Sequence, residues 1–118
     1  MKIVIIDDEQ DICDILGYEI QAMGHDAEVF YSAQDAMIHL TRARADLVIC
    51  DYQMPKLSGL DLFLWMKENQ IVIPFFIFTG EPETDPNELL TLGITQVLFK
   101  PRDVKHIRSY INTFCSNR

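Results

Sequence analysis

Positive charge is scarce in this sequence: 10 Lys and Arg stand against 18 Asp and Glu, a formal net charge of −8. No Lys/Arg cluster is present to hold a phosphate backbone, so direct nucleic-acid binding by this domain is not expected. Chain breakers are few as well. Five Gly and five Pro in 118 residues leave no linker or low-complexity segment, and 48% hydrophobic residues offset the entropy of ordering, which argues against a disordered chain. Cysteine is limited to Cys13, Cys50 and Cys115, odd in number, widely spaced and without a CxxC pair. A disulfide framework and a zinc site both lack support, and reduced structural thiols are expected. No apolar run approaches a membrane span and no cleavage pattern follows the short run at the N-terminus, so the expected location is cytoplasmic, away from membranes.

What is present fits one domain, residues 1–118. Residues 3–6 form a short apolar run ended by Asp7 and Asp8, the pattern of a strand buried on both faces. A helix is predicted over 9–23, where Ile12, Ile15, Leu16, Ile20 and Met23 recur at helical spacing before a capping Gly24. A strand over 26–31 follows, then a capping-box pair, Ser32 and Asp35, ahead of a helix carrying Ala36, Met37 and Leu40. Residues 47–50 are again apolar and end at Asp51, and the pattern continues with a helix over 58–68 and a strand over 71–78. Pro74 cannot donate a ladder hydrogen bond and should mark where the pairing of that strand begins. Asp85, Pro86 and Glu88 read as N-cap, first helical residue and third, opening a short helix that Gly93 closes. A strand over 95–99 and a helix over 103–114 complete five βα units, the signature of an α/β protein with a parallel sheet.

Parallel strands deliver their C-terminal ends to one edge, where ligands bind. That edge should collect Asp7, Asp8, Asp51, Thr79 and Lys100. Two carboxylates about 5 Å apart repel by about 3 kcal/mol at an effective dielectric near 20, so three in one cleft call for a cation or raised pKa values. Carboxylates without His or Cys form a hard, incomplete ligand set that suits Mg²⁺ completed by water and phosphate. A carboxylate beside a metal, a hydroxyl and a lysine can attack a phosphoryl group, and Asp51, alone on a central strand, is the best nucleophile candidate.

The segments IVIIDDE, DLVICDYQMPKLSG, IPFFIFTG and VLFKP, in that order and spacing, resemble the receiver domain of bacterial two-component response regulators over essentially all 118 residues. The resemblance implies a flavodoxin-like, doubly wound (βα)5 sheet with strand order 2-1-3-4-5. It makes Asp51 the phosphoacceptor, with Asp8, Asp51 and the Gln53 backbone carbonyl as Mg²⁺ ligands, Asp7 holding the ion mainly through bound water, and Thr79 and Lys100 on the phosphoryl group. It also implies that Met54 and Pro55 shape the loop, that Gly59 and the small Gly80 are needed near the site, and that Pro101 follows a cis peptide bond aiming Lys100 inward. A histidine kinase or phosphotransfer protein would be the donor, and a protein target or a fused output domain would read the result. Such a domain acts on itself and is not an enzyme in the ordinary sense.

Three features depart from the family pattern. Val97 stands where an aromatic switch residue is usual. The stretch 80–92 holds Pro82 and Pro86 among four acids and leaves only about two helical turns. At 100° steps Leu64 and Trp65 fall opposite the core arc of the third helix, which suggests a partner surface or a homodimer contact. Two other functions fit the same residues. One is a Mg²⁺-dependent phosphohydrolase with an aspartyl-phosphate intermediate, weakened by Gln53 where a second acid is usual; the other is a pseudo-receiver that binds partners without phosphate.

Overall fold

Strand residues of this chain alternate between two buried faces. Val4, Ile6, Val48, Cys50, Phe75, Ile77 and Val97 belong to one hydrophobic cluster, and Ile3, Ile5, Leu47, Ile49, Phe76, Phe78 and Leu98 to the other. Both faces of the sheet are therefore covered, as a parallel sheet requires. The computed structural model describes residues 1–116; Asn117 and Arg118, the end of the expected domain, lie outside them. The elements are β1 (Lys2–Ile6), α1 (Gln10–Ala22), β2 (Asp26–Phe30), α2 (Ala33–Arg42), β3 (Leu47–Asp51), α3 (Gly59–Glu68), β4 (Phe75–Thr79), α4 (Pro86–Leu92), β5 (Gln96–Phe99), a 3-10 turn (Val104–His106) and α5 (Ile107–Ser116). All strand pairs are parallel, in the order β2-β1-β3-β4-β5. The fold class and strand order are those expected. One cluster lies under α2, α3 and α4, the other under α1 and α5.

Local chemistry explains most boundaries. Gly24 and Gly93 adopt φ of 88° and 114°, ending α1 and α4 in the left-handed geometry that glycine reaches without strain. Asp85 accepts from the Asn87 N–H ahead of Pro86, as expected. Pro74 directly precedes β4, and its carbonyl accepts from the Val48 N–H.

Four details differ. Residues 71–73 stay outside β4, because pairing starts only beyond the proline. Ser32 caps α2 by accepting from the Asp35 N–H, but the reciprocal capping box forms at α3, between Ser58 and Asp61. The last helix begins as a 3-10 turn because Asp103 is bonded back to Phe99. On α3, Trp65 packs against the interior as a half-buried side chain, and only Leu64, 39% exposed, remains outward. Trp65 sits about 60° from Leu62 on the helical wheel, close enough for its long ring system to lie back over the core.

Candidate functional site

Asp7 directly follows β1, Asp51 ends β3 and Lys100 directly follows β5, and the three share a strand parity. Asp7, Asp51 and Lys100 continue the rows of Ile5, Ile49 and Leu98, so they meet at the edge on the α1 and α5 side. Lys100 Nζ lies 2.8 Å from Asp7 Oδ2, 3.3 Å from Asp51 Oδ1 and 3.3 Å from Glu9 Oε1. Asp7 and Asp51 are nearly inaccessible, at 2% and 5% exposure. Ligand oxygens of Asp7, Asp8, Glu9 and Asp51 all lie within 4.8 Å of one another. Four clustered hard oxygen donors, three of them on the Lys100 ammonium, are a set that a small divalent cation fits chemically, with open positions for water and phosphate.

Burial dominates the titration of these groups. It pushes the Asp51 carboxyl up to about 7; the Asp7 charge adds to this, and Lys100 together with a hydrogen bond from the Gln53 backbone N–H only partly opposes it. Burial raises Asp7 as well, against the Lys100 and Glu9 N–H hydrogen bonds. The Lys100 ammonium is held above its ordinary value: burial disfavours its charge, and Asp7 and Asp51 more than offset that. Behind the carboxylates, the Cys13 thiol donates to the Asp7 carbonyl and the Cys50 thiol to the Asp51 carbonyl, both at 3.3 Å. Burial pushes Cys13 to about 12 and Cys50 well above its usual range, so these two thiols stay protonated and structural.

Thr79 has the other parity, and its hydroxyl engages the β4–α4 loop. Thr79 Oγ1 lies 2.9 Å from Thr84 Oγ1 and accepts from the Glu81 N–H at 3.0 Å. Glu81 in turn accepts from Gln53 Nε2 at 3.0 Å, so a bridge runs between the loops after β3 and β4. In the β3–α3 loop, Leu57 N–H bonds to the Pro55 carbonyl around Lys56, whose φ of 71° makes this a strained three-residue turn. Met54 and Pro55 line the shallow hollow of this loop with Tyr52, Gln53, Ser58 and Leu60. Gly59 permits a close approach: a Cβ there would lie 2.5 Å from the Asp51 carbonyl oxygen. Beside Gly80 there is open space. The Lys100–Pro101 bond is cis, as expected. Val97 is a buried core residue and Phe99, two positions on, stacks under the Arg102 guanidinium.

The structure brings the expected Asp7, Asp8, Asp51 and Lys100 together, whereas the Thr79 hydroxyl expected with them engages Thr84 and the Glu81 N–H; Gln53 gives Asp51 a backbone N–H. It missed Glu9, Thr84 and Asp103. Glu9 directly follows the acidic pair and could have been found there; the other two bond to partners that only the fold brings close.

A doubly wound sheet with a buried acid and lysine pocket at its carboxyl edge defines the class of protein. The model of the response regulator receiver domain matches residues 3–112, and the chain belongs to that family. Response regulator SaeR of Staphylococcus aureus (strain USA300) is 32% identical over 111 residues, 93% of this chain and 48% of SaeR. The receiver domain of the Francisella response regulator 1452 superposes with a TM-score of 0.87 at 23% identity, covering 95% of this chain and 93% of that one. The response regulator protein TrrA of Thermotoga maritima, solved in complex with Mg(2+)-BeF, superposes with a TM-score of 0.82 at 20% identity, covering 95% and 96%. The chain spans about half the length of the curated relatives it matches. Among the described residues no helix is long and apolar enough to cross a membrane.

Proposed function

We propose that residues 1–118 are one receiver domain in which Asp51 accepts a phosphoryl group from a histidine kinase or phosphotransfer protein. The observation that carries this reading is the buried Asp51 carboxylate, 3.3 Å from Lys100 and hemmed by Asp7. An Asp51 oxygen attacks phosphorus as the donor's P–N bond breaks. The electron pair leaves with the imidazole nitrogen, which takes a proton from solvent, and an acyl phosphate remains on Asp51. Lys100 lies where it can hold the equatorial charge during transfer, and Thr79 can donate its hydroxyl to the product by leaving Thr84. Asp7, Asp8, Asp51 and the Gln53 carbonyl would hold Mg²⁺, with Glu9 at the rim. Bound there, the ion supplies counter-charge that keeps Asp51 ionised and neutralises phosphoryl oxygens. The Mg(2+)-BeF complex of the structural neighbour TrrA supports this reading.

The new charge then shifts a conformational equilibrium that a protein target, an output domain or a second copy of this chain reads out. Incubation with Mg²⁺ and acetyl phosphate should give a single phosphate adduct by intact mass, absent without Mg²⁺ and absent in Asp51→Asn. Turnover of many equivalents would favour a hydrolase, and no adduct from any donor would favour a phosphate-independent binding module.

A further inference from the structure

β5 is an edge strand, so an outward-facing N–H and C=O on it have no neighbouring strand to bond. At Phe99, directly before Lys100, both are satisfied by one residue. The Phe99 N–H donates to Asp103 Oδ2 at 2.7 Å, and the Asp103 N–H donates to the Phe99 carbonyl at 2.8 Å. Asp103 thus stands in for the missing strand and closes the turn that contains Lys100 and the cis Pro101. Its carboxylate is 3% exposed and fully engaged: Tyr110 Oη donates to Oδ1 at 3.2 Å from α5, and Arg102 donates to both oxygens. On the inner side, just past the end of the strand, the Lys100 N–H bonds to the Thr79 carbonyl at 2.8 Å. The backbone that carries the pocket's lysine is therefore fixed from both sides, by β4 and by Asp103.

We propose that Asp103 is a positioning residue for Lys100, holding its ammonium between Asp7 and Asp51 where phosphoryl transfer needs it. The inference rests on the phosphotransfer reading above. Asp103 touches no reacting atom; it acts through the Phe99–Lys100 backbone. Asparagine at this position keeps an oxygen for the Phe99 N–H, whereas alanine leaves that donor unpaired.

The test is a double-mutant cycle on the rate of Asp51 adduct formation with Mg²⁺ and acetyl phosphate. Asp103→Ala should slow the reaction at least tenfold in the wild-type background and less than twofold in Lys100→Ala, while Asp103→Asn stays within threefold of wild type. A second readout needs neither metal nor donor. Competitive acylation with acetic anhydride, referenced to Lys2, should label Lys100 several-fold faster in Asp103→Ala than in wild type or Asp103→Asn. Equal losses in both backgrounds, failure of asparagine to rescue, or unchanged Lys100 labelling would overturn the proposal. If Asp103→Ala does not fold, Asp103→Glu takes its place, keeping the charge but displacing the carboxylate by one methylene, with the same expected pattern. No adduct in wild type would defeat the phosphotransfer reading, whereas an adduct with an additive cycle would defeat only the role of Asp103.

Discussion

As the proposed phosphoacceptor, Asp51 meets two opposed demands: burial screens it from water, yet it must be ionised to act as a nucleophile. Without a divalent cation burial prevails, and its carboxyl titrates near 7 instead of the ordinary 3.8. The folded protein then holds a proton that the unfolded chain has already released. The stabilisation this gives is complete below the unfolded value and is lost as pH rises from about 4 through 7, and Asp7 is shifted in the same direction. Metal-free protein should therefore show a falling Tm between pH 5 and pH 8 by calorimetry. Asp51→Asn should flatten that slope and raise Tm at pH 8 by about 5 °C, the scale of roughly 1 kcal/mol in a domain of this size. Mg²⁺ should stabilise wild type at pH 8 more than Asp51→Asn. Asp103 has the opposite sign: burial alone would raise it, but hydrogen bonds from Arg102, the Phe99 N–H and Tyr110 outweigh burial and lower it, so its stabilisation is lost as pH falls below the ordinary carboxylate range. Asp7, Asp51 and Lys100 were legible in the sequence because each is a polar residue closing an apolar run. Asp103 was not, because its partner is a main-chain N–H that only the turn brings within reach.

At the scale of elements, the β4–α4 loop is tied to the site through the Thr79–Thr84 hydroxyl pair, the Glu81 N–H on Thr79 and the Gln53–Glu81 bond, and the hydroxyl pair is the one that a ligand on Thr79 would replace. A charge-assisted bond from Thr79 to a phosphoryl oxygen is stronger than a neutral hydroxyl pair, so phosphorylation should release Thr84. Hydrogen exchange across residues 81–88 should rise when Mg²⁺ and beryllofluoride are added. Thr84→Val should show raised exchange beforehand and little further change. With valine buried at position 97, this loop is the element best placed to report on Thr79. Helix α3 shows where wheel arithmetic stops. Angular position separated Leu64 from the core correctly but assigned Trp65 to the same outer side, because it weighs direction and not side-chain length. Trp65→Ala should accordingly cost about 2–4 kcal/mol in urea denaturation, whereas Leu64→Lys should stay within about 0.5 kcal/mol of wild type.

For the molecule as a whole, the sheet was legible because periodicity and punctuation agree. Apolar runs of strand length alternate with helical spacing, and Pro74, Asp85, Gly24 and Gly93 stand where boundaries belong. The 3-10 entry to α5 was less legible, since a back-bonded carboxylate accompanies it. The net charge of −8 argues against nucleic acid and also has a local meaning: acids from two strand ends, after β1 and at the end of β3, converge on the lysine that follows β5. On the proposed function, Asp51 itself carries the phosphoryl group. Borohydride reduction of the phosphorylated protein followed by peptide mapping tests it most directly, because an acyl phosphate is reduced to the alcohol at the modified residue. Homoserine is expected at position 51 and at no other aspartate; a reduced residue elsewhere, or phosphate retained on a hydroxyl or imidazole, would place the phosphoryl group on another side chain.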